Sequence, residues 1–125
     1  MSRTLIVTAS LPLAKRLQDL MTTLGRETLI AHTHEAALRH FRRGKPELAV
    51  VDAIMPDIPG LEIAQGFIFE NSETRIVVMS DIDTNVIRDV ALRCGARDVL
   101  IKPFSDFEFE FTIQKYLEDF DAESA

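Results

Sequence analysis

The sequence predicts one α/β domain, a parallel sheet covered by helices on both faces. Two observations predict it. Five short runs are apolar from end to end, as strands buried on both faces require. Between them lie stretches with apolar residues at helical spacing, each bounded by capping or breaking residues. A length of 125 residues suits one ordinary domain with a real core. Five β-then-α units joined by right-handed crossovers then give a three-layer sandwich.

Residues 4–7 read as the first strand. Ser10 offers a capping oxygen, and Pro12 sits just inside the helix start. Leu13, Leu17, Leu20, Met21 and Leu24 follow at helical spacing, and Gly25 ends that helix. Residues 28–31 form a second strand, and 35–43 a second helix stopped by Gly44 and Pro46. Residues 48–51 are a wholly apolar third strand. Leu61, Ala64, Phe67 and Ile68 mark a third helix, in which Gly66 costs about 1 kcal/mol relative to Ala.

Residues 75–79 are strand four, and Val86, Ile87, Val90, Ala91 and Cys94 form one face of helix four before Gly95. Residues 99–101 are strand five. Ser105 caps a last helix, for which Phe104, Phe107 and Phe111 are expected to face the core. Phe109, Ile113 and Phe120 are then expected to be partly exposed. The domain is read as residues 1–120, with 121–125 as a frayed acidic tail.

Composition narrows the function. Fourteen basic against twenty acidic residues give a net charge of −6, which argues against binding a nucleic-acid backbone. No apolar run approaches the roughly 18 residues of a membrane span, and the polar start does not lead into a secretory signal. The single cysteine, Cys94, makes no internal disulfide, so a reducing, cytoplasmic location is expected. His32, His34 and His40 have no acidic or cysteine cluster beside them, and surface or capping places are expected. No glycine-rich phosphate loop occurs.

In open parallel sheets the site lies outside the carboxyl ends of the strands. Thr8, Ala9 and Ser10 follow strand one, and Asp52 follows strand three. Ser80 and Asp81 follow strand four, and Lys102 with Pro103 and Phe104 follows strand five. A carboxylate, a hydroxyl and an ammonium thus converge on one rim. That set suits an acyl phosphate: the carboxylate attacks phosphorus while the other groups neutralise the phosphoryl oxygens. The plainer alternative is a half-buried Asp52–Lys102 ion pair that fixes the rim.

Two segments carry a family resemblance: Val50-Val51-Asp52-Ala53-Ile54-Met55-Pro56 followed by Gly60, and Cys94 through Lys102 to Phe104. They resemble the receiver domains of two-component response regulators, and the likeness runs from Leu5 to about Leu117. The resemblance implies a flavodoxin-like sheet in the order 2-1-3-4-5. It makes Asp52 the phosphoacceptor position, Ser80 the switch hydroxyl and Lys102 the phosphoryl contact, with a cis Lys102–Pro103 bond. The partners it implies are a sensor histidine kinase or phosphotransfer protein, or a downstream effector, and a homodimer through helix four, strand five and helix five. No enzymatic activity, nucleic acid or membrane is expected of the domain.

The departures from the family pattern are specific. Thr8 and Ala9 stand where two acidic residues help to bind Mg²⁺. Mg²⁺ wants near-octahedral oxygen ligands and carboxylate charge. The Asp52 carboxylate, the Ile54 carbonyl and the Thr8 hydroxyl are what remain, so weak Mg²⁺ binding and slow or absent phosphorylation are expected. Asp81 replaces a small residue after the switch hydroxyl, Val99 replaces the aromatic switch, and Pro59 replaces an acid before the loop glycine. The expected function is a receiver domain working mainly through protein–protein interaction. The alternatives are a Mg²⁺-dependent receiver using Asp81 or water in place of the missing acids, and a small-molecule binding module.

Overall fold

Each apolar run becomes a strand of one sheet. The computed structural model describes the backbone of residues 3–124 and the side chains of 3–117. The chain alternates β1 (Arg3–Val7), α1 (Leu11–Thr23), β2 (Glu27–Ala31), α2 (His34–Gly44), β3 (Leu48–Asp52), α3 (Gly60–Glu70), β4 (Arg75–Ser80), α4 (Asn85–Arg93), β5 (Asp98–Ile101) and α5 (Asp106–Ser124). The strands are parallel and lie in the order β2-β1-β3-β4-β5. This is the expected flavodoxin-like arrangement. Among the described residues no helix is long and apolar enough to cross a membrane.

Period-two alternation splits the core in two. Leu5, Val7, Ala49, Val51, Ile76 and Val78 point to one face, where Ala37 and Phe41 of α2, Ile63 and Phe67 of α3 and Ala91 of α4 cover them. Phe41 and Phe67 stack there with ring centroids 4.2 Å apart. Ile6, Val50, Val77, Met79 and Leu100 point to the other face, under Leu17 and Met21 of α1 and Phe109, Ile113 and Tyr116 of α5. The helices covering the sheet are therefore α2, α3 and α4 on one side, α1 and α5 on the other.

The helix starts follow the sequence. Ser10 accepts a hydrogen bond from the Leu13 N–H, Thr33 from Ala36 and Thr84 from Ile87. The Ser105 hydroxyl accepts from Glu108 at 3.0 Å. One ending differs: Gly44 is still helical, and Lys45 takes the left-handed cap at φ 46 with its N–H on the Phe41 carbonyl. The Lys102–Pro103 bond is cis.

Two expected faces are corrected. On α5 the core contacts are made by Phe109 and Ile113, both fully buried, while Phe107 and Phe111 are 76% and 61% exposed. The reason is phase. Phe104 precedes the helix, so its buried position does not extend to 107 and 111; the true stripe is 109, 113, 116 and 117. On α4 only Ala91 is buried, and Val86 and Val90 are exposed rather than packed. Phe120 and residues 118–125 lie outside the described side chains; the α5 backbone runs through Ser124, into the segment expected to fray.

Candidate functional site

Parallel strands end together, so their last residues share a rim. Val7 pairs with Val51 and with Ala31, which brings Thr8 level with both Asp52 and His32. Asp52 is the last residue of β3 and only 3% exposed. Its carboxylate is held from three directions. The Thr8 hydroxyl donates to Oδ2 at 2.9 Å, and the Lys102 ammonium donates to the same oxygen at 2.8 Å. The Ile54 N–H donates to Oδ1 at 3.2 Å and closes a turn over the strand end.

The supports of these groups are built from backbone. The Thr8 side chain is fully buried, and its oxygen accepts from the Ser10 N–H at 3.2 Å. His32 Nδ1 lies 2.8 Å from the Thr8 carbonyl. A carbonyl only accepts, so the ring nitrogen donates there. Lys102 follows β5, and its N–H donates to the Ser80 carbonyl at 2.8 Å. Gly60 opens α3 against the end of β3. A Cβ on it would come within 1.8 Å of the Asp52 carbonyl oxygen, so no other residue fits.

The remaining rim residues turn elsewhere. Ser80 is buried, but its hydroxyl donates to the Ile82 carbonyl at 3.1 Å and accepts from the Ile82 N–H at 3.0 Å. Ala9 and Asp81 are exposed, and Val99 is buried. Asp57, in the loop before α3, accepts from the His34 N–H at 2.8 Å and caps α2. That bond is the main cause holding its carboxyl below the usual aspartate range.

A sequence profile of the response regulator receiver domain matches residues 5–114. The chain belongs to that family. Similar proteins include the Probable transcriptional regulator ycf27 of Pyropia yezoensis, 31% identical over 113 residues. That match covers 90% of this chain and 46% of the relative. The protein of the same name from Cyanidium caldarium is 33% identical over 113 residues, covering 90% and 45%. The Regulatory protein AtoC of Escherichia coli (strain K12) is 29% identical over 120 residues, covering 94% and 25%. The receiver chain thus spans less than half the length of these curated relatives.

The fold agrees with solved receiver structures. A CheY-like receiver domain protein from Methanospirillum hungatei JF-1 superposes with TM-score 0.91 at 20% identity, covering 98% of each chain. A BeF3-activated DrrB receiver domain superposes with TM-score 0.87 at 20% identity, covering 94% of this chain and 98% of that one.

Within this receiver domain the strand-end rim buries one carboxylate, that of Asp52, and carries Thr8 and Ala9 after β1. Among the described residues no three His, Cys, Asp or Glu side chains come together in a way that would hold a metal ion. Asp52 brings one anionic group, and its Oδ2 already accepts from Thr8 and Lys102. Mg²⁺ asks for near-octahedral oxygen and usually more than one carboxylate. The Thr8 hydroxyl, expected as a remnant ligand, donates its hydrogen to the Asp52 carboxylate. Strand register would have revealed that contact, since Thr8 is one step past the Val7–Val51 pair.

Proposed function

We propose that this receiver domain signals through protein–protein contact, with Asp52 serving as a fixed structural carboxylate and a poor phosphoacceptor. The observation that carries the reading is the sharing of one Asp52 oxygen by Thr8 and Lys102, with no acid at positions 8 or 9. An acyl phosphate forms when a carboxylate oxygen attacks phosphorus, the donor's leaving group departs with the electrons of its bond to phosphorus, and cations neutralise the phosphoryl charge. Here Lys102 is one such cation. The second, a divalent ion held by acids after β1, lacks its ligands. Ser80, the third expected participant, spends its hydroxyl on Ile82.

A surface for partners supports the reading. Ile82, Val86 and Val90 are exposed along the start and outer side of α4. This is part of the helix four, strand five and helix five face expected for a homodimer, or for docking a histidine kinase, phosphotransfer protein or effector. The length shared with transcriptional regulators is only the receiver part. The output that this domain serves is therefore reached by contact, from the same chain or another.

The test is chemical. The protein is incubated with acetyl phosphate and Mg²⁺, and separately with beryllofluoride and Mg²⁺. Intact mass and the amide shifts around Asp52 are recorded. The expected result is no added phosphoryl mass and no shift for the natural chain, with modification gained by a Thr8→Asp, Ala9→Asp double variant. Full, rapid modification of the natural chain at millimolar Mg²⁺ would overturn the proposal and favour the Mg²⁺-dependent alternative.

A further inference from the structure

Two outer faces of this domain complement each other, and neither belongs to the Asp52 rim. On α2, residues Glu35, Leu38, Arg39, Arg42 and Arg43 line a shallow groove of about 340 Å³. Their spacing of three and four puts them on one side of the helix. All but Leu38 are exposed, and Leu38 supplies a half-buried apolar floor. Arg42 is anchored by Glu70 of α3, Nη2 to Oε1 at 2.6 Å, which raises the guanidinium further above its ordinary value. The exposed Lys45 follows at the end of the helix. The groove is basic with an apolar floor.

On α5 the signs are reversed. Phe107 and Phe111 lie one turn apart, stacked with ring centroids 6.1 Å apart, directly opposite the buried stripe. Asp106, Glu108 and Glu110 surround them, and Lys115 stands one turn beyond Phe111. Asp106 is tied to Arg16 of α1 at 2.8 Å, while Glu108 is exposed and Glu110 half-buried beside the rings. This face is apolar with an acidic rim.

We propose that α5 of one copy docks into the α2 groove of a second copy. Phe107 and Phe111 cover Leu38, while Glu108 and Glu110 meet Arg39 and Arg43. A second copy is the occupant because the chain carries both halves of the match. Its net charge of −6 opposes association that lacks such local pairing. The two faces lie on opposite sides of the sheet, α2 on one and α5 on the other. Two copies therefore cannot satisfy both contacts reciprocally, and the assembly is head-to-tail. One helix against one groove buries less than the roughly 1,200 Å² of a stable interface, so the association is weak and concentration-dependent. The proposal stands independently of the chemistry at Asp52.

Sedimentation velocity over a range of protein concentrations, at low and at high salt, tests it. The natural chain is expected to sediment faster as concentration rises, and to lose this behaviour in high salt. Phe107→Ser with Phe111→Ser, Arg39→Glu with Arg43→Glu, and Glu108→Lys with Glu110→Lys are each expected to stay monomeric alone. Mixing the two charge-reversed chains restores association, because each then finds an opposite charge. Circular dichroism verifies that all three variants fold. A natural chain that remains monomeric throughout, or association that survives both the α2 and the α5 variants, would overturn the proposal.

Discussion

The rim at the strand ends and the outer face of α5 break the usual burial rule in opposite directions. At the rim a carboxylate is buried; on α5 two phenylalanines are exposed. A buried charge is tolerated when it is paired and hydrogen-bonded, and Asp52 finds all its partners inside the chain: Thr8, Lys102 and the Ile54 N–H. An exposed apolar pair has no such internal remedy, and exposed apolar clusters mark contact surfaces. The difference places the unsatisfied chemistry of this receiver domain on its surface, not in its pocket. That contrast supports the proposal that the domain works through contact and not through phosphoryl transfer.

The strongest way to break the comparison is to disturb the rim from behind. Gly60→Ala puts a Cβ against the Asp52 carbonyl, where backbone meets backbone and neither side yields. A loss of about 3 kcal/mol or more is expected, read as a lower urea midpoint at unchanged slope. Stability within about 0.5 kcal/mol of the natural chain would show that the β3 end relaxes freely.

Lys102→Met is the next test and measures the internal remedy itself. It leaves Asp52 buried with only Thr8 and a backbone N–H to hold its charge. A loss of about 2 kcal/mol is expected, because an uncompensated buried carboxylate costs more than a surface pair. Phe107→Ser with Phe111→Ser should change stability by no more than about 0.5 kcal/mol, since those rings contact solvent. If the phenylalanine variant were the more damaging of the two, the roles assigned to the two regions would have to be exchanged.

How far these features were legible from sequence differs for physical reasons. Five apolar runs and their caps determine the sheet, and strand ends concentrate residues of distinct chemistry, so Asp52, Ser80 and Lys102 could be placed on one rim. What each side chain bonds to there depends on register and loop shape. The Thr8 contact follows from pairing β1 with β3, and the His32 contact from pairing β1 with β2. The turn of Ser80 toward Ile82 is a property of the loop backbone alone. On α5, apolar residues at 107, 109, 111 and 113 alternate and so support two opposite helix phases. Grouping Phe104 with Phe107 and Phe111 chose the wrong one, and only the packing of Phe109, Ile113 and Tyr116 against the sheet resolves it.

The smallest expected effect sets an exposed ion pair against the buried one. Arg42 and Glu70 join α2 to α3 through contacts of 2.6 and 3.1 Å, yet both lie at the surface. The hydrogen bond to Arg42 holds the Glu70 carboxyl below the usual glutamate range. A depressed carboxyl contributes stability that is present above its unfolded value and is lost as pH falls through its folded one. Glu70→Gln should therefore lower the urea midpoint slightly at neutral pH and low salt. The gap should shrink in high salt, where exposed pairs are screened, and close as acid protonates Glu70 in the natural chain. Lys102→Met should keep most of its deficit in the same high salt, because the Asp52–Lys102 contact is largely shielded from solvent. Equal salt sensitivity in the two variants would mean that the rim is wetter than its burial indicates. The internal satisfaction of Asp52 would then be weaker than the geometry requires.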